Sequence, residues 1–409
     1  SDVCSSDLPL DMFIYHLGWI EGAEAKETHW ENLQYLKSLG FKINPANRLV
    51  ENLDQVKEYY REWNEKREDL VYEADGIVIK INQHSLQTKL GSVGREPRWA
   101  IAYKFPPIEG NTLLKDIEIS VGRTGTLNPV AVLDPIAIGG VTITHASLHN
   151  EDDIRRKKIH VGDIVIVRRA GDVIPEVVGP AKHKGEEREF SLLDFLPRNE
   201  KGQPSCPSCG QEVFREEGEV MYYCTNAACP AQLQEHLQHF ASRAAMDIRG
   251  IGVSMAATLI KEDVVKDDKG YYRPVQDVGD LYSLDEDRLA ALERMGKKSA
   301  SKLIDQIEKS KNRPLSRLLF GLGIRHVGEE MAERLVSRFP SIEKLEKASL
   351  EDLTSIPTVG NTIAESVIDF FKLERNRQVI EKLRQAGVSL KEEAPAEPAT
   401  STTRLPLKS

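Results

Sequence analysis

Four of the chain's five cysteines crowd between positions 206 and 229, and their spacing leaves that segment few ways to fold. The pattern is Cys206-x2-Cys209, fourteen residues, then Cys224-x4-Cys229. Each close pair fits a tight turn that aims two thiolates at one point, and four thiolates complete a closed tetrahedron around zinc. A closed site leaves no open position for chemistry, so its zinc is structural. It supplies folding energy to a segment too small for its own core. Pro207, Gly210 and Pro230 suit the turns. The competing reading is four reduced structural cysteines. Five cysteines in 409 residues do not suggest a disulfide framework, and Cys4 is given no role.

A chain of 409 residues exceeds one hydrophobic core and implies two to four domains. No apolar run approaches the roughly 20 residues of a membrane span. Met12–Ile20 is interrupted by His16 and preceded by Asp11, so it does not read as a signal peptide. A cytoplasmic location with no membrane partner is expected. Residues 1–8 are polar and patternless and the first is Ser, so a fragment whose true beginning is missing is expected. Net charge is −9, but it is uneven. Residues 1–75 hold 8 Lys/Arg against 16 Asp/Glu, and residues 76–185 hold 15 against 11. Nucleic-acid binding depends on such local patches, so an acidic total does not exclude it.

Residues 10–107 mix helical spacing (Leu33–Leu39, Val56–Arg67) with strand alternation (Gly76–Asn82, Trp99–Phe105), and Pro106-Pro107 closes the unit. Residues 108–198 read as all-β. The runs Ile117–Val121, Val130–Leu133, Val141–Thr144, Asp163–Val167 and Val173–Val178 suit a small barrel such as the OB-fold. Residues 205–230 carry the cysteines, 231–390 are helical, and 391–409 are expected to be disordered.

The helical region repeats one template four times, h-x-x-h-G-x3-A-x2-h. Ile248 to Gly252 is followed by Ala256 and Leu259, and Leu292 to Gly296 by Ala300 and Leu303. Ile324 to Gly328 is followed by Ala332 and Leu335, and Ile356 to Gly360 by Ala364 and Val367. The Gly ends a tight hairpin and lets a phosphate approach the backbone. The helix beginning after it offers free N–H groups and a positive dipole end. The Ala permits close packing. This is the helix–hairpin–helix pattern, which grips phosphates without reading bases. Gly252, Gly296 and Gly328 are the candidate contacts. The fourth copy has Pro357 and no basic residue, so it is expected to be structural.

Alternation places Ile77, Ile79 and Ile81 on one face of a strand and Val78 and Lys80 on the other. In the second strand Ala100, Ala102 and Lys104 share a face. Paired, the strands would raise two lysines from a floor of small residues, suited to a phosphate. From the pattern alone, two solvated edge charges are the simpler reading.

Several strings together resemble bacterial NAD-dependent DNA ligase. They are ADGIVIK, PRWAIAYKFPP, VGRTGTLNPVAVL, ASLHN, RRAGDVIPEVV, the four-cysteine knot, RAAMDIRGIG, LERMGKKSA and LGIRHVGEEMA. The likeness runs from about residue 9 to 390 in the family's domain order. It implies a multidomain α+β chain: an unmatched segment 1–8, the C-terminal half of an adenylation (nucleotidyltransferase) domain over 9–107, an OB-fold over 108–198, a Cys4 zinc finger over 205–230, a helix–hairpin–helix domain over 231–390 and a tail 391–409. It implies that Lys80 and Lys104 contact the nucleotide and that Asp75 orients the site or its metal. Arg123, Arg168 and Arg169 fit DNA phosphate contacts. NAD, structural Zn2+ and Mg2+ (or Mn2+) are the implied cofactors, and nicked duplex DNA, bound without sequence preference, is the implied partner in replication and repair.

The family's nucleophile sits in a Lys-x-Asp-Gly motif, and the 409 residues contain none. The family's nicotinamide-recognising N-terminal helices and its C-terminal BRCT domain are not found either. Two readings follow: a true ligase by family, or a nick-binding module without adenylation activity as the polypeptide stands. A repair nuclease subunit is a third, disfavoured because no carboxylate cluster has nuclease spacing.

Overall fold

The computed structural model describes residues 11–24, 26–70, 72–93, 96–169, 175–184, 189–215, 218–226 and 228–392. Segment 1–8, Cys4, the first two residues of the expected strand Val173–Val178 and nearly all of the tail 391–409 lie outside them. The chain divides into two compact units. One holds residues 1–112, 135–144 and 166–178, the other 113–134, 145–165 and 179–409. The division runs within the barrel strands.

Helix α1 (His29–Ser38) begins in a capping box in which Thr28 and Glu31 satisfy each other's backbone N–H groups. Asn52 caps α2 (Leu53–Lys66) by accepting from the N–H of Asp54 and Gln55. Strand β1 (Gly76–Lys80), α3 (His84–Leu90), the two-residue strands β2 (Ser92–Val93) and β3 (Glu96–Pro97) and β4 (Ala100–Lys104) follow. β1 and β4 pair antiparallel, with Gly76 opposite Lys104 and Lys80 opposite Ala100. Gly76 is required there: an added Cβ would lie 2.5 Å from the Tyr103 carbonyl oxygen and 2.8 Å from Lys104 Cα. Tyr60 of α2 stacks on Tyr103 at 4.1 Å and donates to the Lys104 carbonyl at 2.9 Å, fixing helix to ribbon.

β5 (Ile108–Val121), β6 (Leu127–Ile138), β7 (Val141–Ser147), β8 (Ile164–Arg169) and β9 (Glu176–Lys182) close a barrel in the order β5-β6-β7-β9-β8. Period-two patterning drives it: Leu127, Ala131 and Leu133 of β6 point inward with Leu114, Val165, Val167 and Val177. The strands outrun the hydrophobic runs that reveal them. β5 starts at Ile108, nine residues before Ile117, and shifts register between Leu114 and Asp116. Helix α4 (Glu151–Lys157) interrupts the barrel between β7 and β8. Its Glu151 is fully buried, and there it accepts from Arg155, from Arg215 at 2.7 Å and from the Leu192 N–H.

β10 (Val213–Phe214) pairs with β11 (Tyr223–Cys224), after which the chain is helical: α5 (Pro230–Ala241) and α6 (Val253–Leu259). After the short β12 (Val265–Lys266) and β13 (Tyr272–Arg273) come α7 (Glu286–Ala290), α8 (Lys297–Ser310), α9 (Leu315–Gly321) and α10 (Glu329–Arg338). Then follow α11 (Ile342–Glu346), α12 (Leu350–Thr354), α13 (Asn361–Lys372) and α14 (Glu374–Gln385). One hydrophobic cluster runs from Leu237 to Leu390. The repeat explains it, since Ala256, Ala300, Ala332 and Ala364 are fully buried, with Leu259, Leu335 and Val367 beside them. A larger side chain at any of these alanines would overpack the interface at about 1–3 kcal/mol. Among the described residues, no helix is long and apolar enough to cross a membrane.

Candidate zinc centre, nucleotide ribbon and phosphate-binding hairpins

Cys206, Cys209, Cys224 and Cys229 converge, three of them buried. The Cys206 and Cys229 sulfurs are 3.9 Å apart and those of Cys209 and Cys224 3.6 Å. Zn–S bonds of about 2.3 Å give a tetrahedron with edges of about 3.8 Å, so the four donors fit a zinc ion. Backbone N–H groups of Ser208 and Cys209 point at the Cys206 sulfur, Gln211 at Cys209 and Asn226 at Cys224. Burial pushes the Cys206 and Cys224 thiols up. Burial pushes Cys209 up too, but hydrogen bonds from Asn226 and the Gln211 N–H outweigh it and bring it down to about 7.

The centre ties its neighbours together. The β5–β6 turn meets it at Gly125, whose carbonyl accepts from the Cys224 N–H at 2.8 Å. Gly125 has φ +84°, and a Cβ there would sit 2.4 Å from the Cys224 carbonyl oxygen. Gln232 of α5 donates to that same oxygen at 2.9 Å, and Cys229 is the residue before α5 begins.

On the ribbon, the register puts Lys80 and Lys104 on one face with Gly76, Val78, Ala100 and Ala102 between them, as alternation indicates. Lys80 Nζ donates to the Tyr15 carbonyl at 3.1 Å and lies 5.0 Å from the Tyr15 ring. Burial holds its pKa below the usual lysine value. Lys104 is ion-paired with Asp75, and both remain half exposed.

Two of the three arginines are already engaged. Arg168 grips Glu176 with Nε at 2.9 Å and Nη2 at 2.6 Å, and Arg169 donates to the Gly139 carbonyl at 2.9 Å. Arg123 lies in the β5–β6 turn beside Gly323 and His236, with Nη1 enclosed and lacking a hydrogen-bond partner. Burial first, and Arg123 second, depress the His236 pKa to about 4.

The four hairpins share one backbone geometry. The third template position is left-handed in every copy: Gly250 at φ 111°, Arg294 at 64°, His326 at 64° and Thr358 at 77°. The glycines that close the template are not. Gly252, Gly296, Gly328 and Gly360 are extended (φ −98°, −86°, −84° and −84°) and stand at the N-caps of α6, α8, α10 and α13. The left-handed residue of each hairpin thus stands two residues before the glycine that ends it. No side chain caps any of the four helices, and a Cβ on any of these glycines would meet nothing within 4 Å. Neither conformation nor internal packing demands glycine there. What its absent side chain leaves is a bare helix N-terminus open to an outside anion. Lys297 and Lys298 follow Gly296, whereas Glu329 and Glu330 follow Gly328. Arg325 of the third hairpin lies over the Tyr223 ring at 5.7 Å, joining it to the zinc hairpin.

Five family models cover the chain in order: the NAD-dependent DNA ligase adenylation domain (residues 2–108), OB-fold domain (111–189) and C4 zinc finger domain (205–231), a SAM-like helix-hairpin-helix tandem (242–309) and a helix-hairpin-helix motif (317–380). The chain is 52% identical over 388 residues to a DNA ligase of Dehalococcoides mccartyi, covering 94% of this chain and 56% of the relative. It is 46% identical over 391 residues to a DNA ligase of Pelotomaculum thermopropionicum, covering 93% and 55%. Against a DNA ligase of Rubrobacter xylanophilus it is 46% identical over 383 residues, covering 93% and 53%. The order of modules is that of a nucleotide-activating, DNA-joining class of protein. The chain belongs to the NAD-dependent DNA ligase family. It spans a little over half the length of these curated relatives.

Proposed function

We propose that the chain supplies the DNA-gripping and nucleotide-positioning part of an NAD-dependent ligase that seals 5′-phosphate/3′-hydroxyl nicks in replication and repair. The observation that carries the DNA part is the row of open, uncapped, glycine-fronted helix N-termini. In the proposed reaction a lysine amine attacks the α-phosphorus of NAD and nicotinamide mononucleotide leaves. The 5′-phosphate at the nick then takes AMP, and the 3′-hydroxyl displaces it. Lys80 and Lys104 balance the α-phosphate charge from their common face, and Asp75 orients Lys104. Magnesium, or manganese, would neutralise phosphoryl charge at this carboxylate. Gly252, Gly296 and Gly328 take backbone phosphates, and Arg168 and Arg169 are secondary contacts at the barrel. Arg123, enclosed beside His236, reaches a phosphate only by moving. The whole acts as a cytoplasmic monomer at the nucleoid.

The 409 residues contain no Lys-x-Asp-Gly. By themselves they therefore bind nicked DNA and take no AMP from NAD. With labelled NAD and denaturing electrophoresis, the expected result is an unlabelled band; covalent label on the chain overturns this reading. Binding to nicked duplex should weaken as salt rises, log K falling by about 0.9 per phosphate contact for each unit of log salt. Titration across salt concentrations checks it, and binding indifferent to salt sinks the proposal.

A further inference from the structure

We propose a second metal site on the barrel, built by His160, Asp163 and His183, that takes a zinc-class divalent cation. His183 lies twenty residues beyond Asp163 in sequence, but the fold gathers it with His160 and Asp163 at one end of β8 and β9. Residues 160–163 form a tight turn closed by the Asp163 N–H on the His160 carbonyl at 3.1 Å, with Gly162 at φ +96°. That turn sets the side chains of His160 and Asp163 together just before β8. His183 arrives as the first residue after β9.

The donor set suits a metal. Asp163 is fully buried and held by its backbone: its carbonyl accepts from the Leu114 N–H at 2.9 Å. Its Oδ1 accepts from the Lys184 N–H at 2.9 Å and its Oδ2 from the His160 N–H at 3.0 Å. Outer hydrogen bonds of this kind fix a ligating carboxylate in place. From Oδ2, the Nδ1 of His183 is 3.3 Å away and that of His160 is 3.5 Å. These contacts are longer than the usual N–H···O bond of about 2.9–3.0 Å. They match the edge of about 3.4 Å that bonds of about 2.0–2.1 Å give a zinc tetrahedron. The His160 Nδ1 is shut from solvent and has no hydrogen-bond partner, so an ion would satisfy a group that the protein leaves unmet. Ligand atoms of all three residues lie within 4.8 Å of one another.

Two imidazoles and one carboxylate select zinc, cobalt or nickel over magnesium, which prefers oxygen alone. His183 is half exposed while Asp163 is enclosed, so the fourth position faces solvent and is filled by water. With three protein ligands and an open side, the ion exchanges more readily than zinc held by four cysteines. Its effect is to clamp the turn before β8 to the end of β9.

The test is metal content of the whole chain after dialysis against buffered low-micromolar zinc with millimolar magnesium present. The parent is expected to hold about two zinc ions and His183→Ala about one, the four-cysteine site being retained. His183 follows a strand end and is half exposed, so its loss leaves folding intact; circular dichroism checks this, and His160→Gln gives an independent second variant. Cobalt adds a discriminator: the second equivalent should add no thiolate-to-metal absorption. One zinc in both parent and variants overturns the site, as do two in all of them or a thiolate band from the second cobalt.

Discussion

Cys229→Ser is expected to lower zinc bound at the four-cysteine centre from about one per chain to none and to unfold the segment around it. Structural zinc in small domains is worth about 10–16 kcal/mol at pH 7. That is comparable to the roughly 5–15 kcal/mol holding a whole domain folded. The two-residue pairing of β10 with β11 cannot replace it. Cys229 is fully buried at the entrance to α5, so a serine there leaves a poor ligand among three thiols and an unmet hydroxyl. Metal analysis and amide exchange over residues 205–230 measure the outcome. A serine variant that keeps its zinc and its exchange protection would refute the four-thiolate assignment. Loss should spread to the β5–β6 turn and the first turn of α5, because both bond to the Cys224 carbonyl and amide.

Serine at Gly296 and Gly328 should move stability and DNA affinity in opposite directions. Both positions have φ values open to any L-residue and empty space where a Cβ would go. A serine hydroxyl caps a helix better than glycine by a few tenths of a kcal/mol, so melting should hold or rise slightly. The same hydroxyl occupies the N–H groups a phosphate would use and stands in its path. A hydrogen bond to a charged group is worth about 1.5–3 kcal/mol, so losing one or more weakens duplex binding by at least about tenfold. Anisotropy titration and thermal melting of the double variant decide the matter together. Parent affinity would remove these glycines from the DNA interface; a melting loss of many degrees would show that they serve the fold.

Much of this was legible because it rests on periodicity. Strand alternation puts Lys80 and Lys104 each on the small-residue face of its own strand, and the register of β1 with β4 joins those faces. The alanines of the repeat are buried because only a small residue can recur there. What stayed hidden depends on backbone conformation or on distant pairing. Arg294, His326 and Thr358 adopt the left-handed region that sequence assigns by default to glycine, so the residue that turns each hairpin was not legible. Arg168 reads as a free cation until β8 and β9 bring Glu176 beside it. Glu151 looks like one of three surface acids, although the fold buries it under Arg215. The meeting of His160, Asp163 and His183 leaves no spacing signature, because the pairing of β8 with β9 creates it.

The contact of Gly125 with Cys224 bears on how a ligand held by both the barrel turn and the first helix would be received. Backbone against backbone leaves no room for the turn to swivel, and Gln232 locks α5 to the same carbonyl. The elbow between barrel turn and first helix is thus welded rather than hinged. Its angle is set when the chain folds, so a ligand spanning the turn and the helix would meet a preorganised bend, and the entropy of shaping that joint would not be charged against binding.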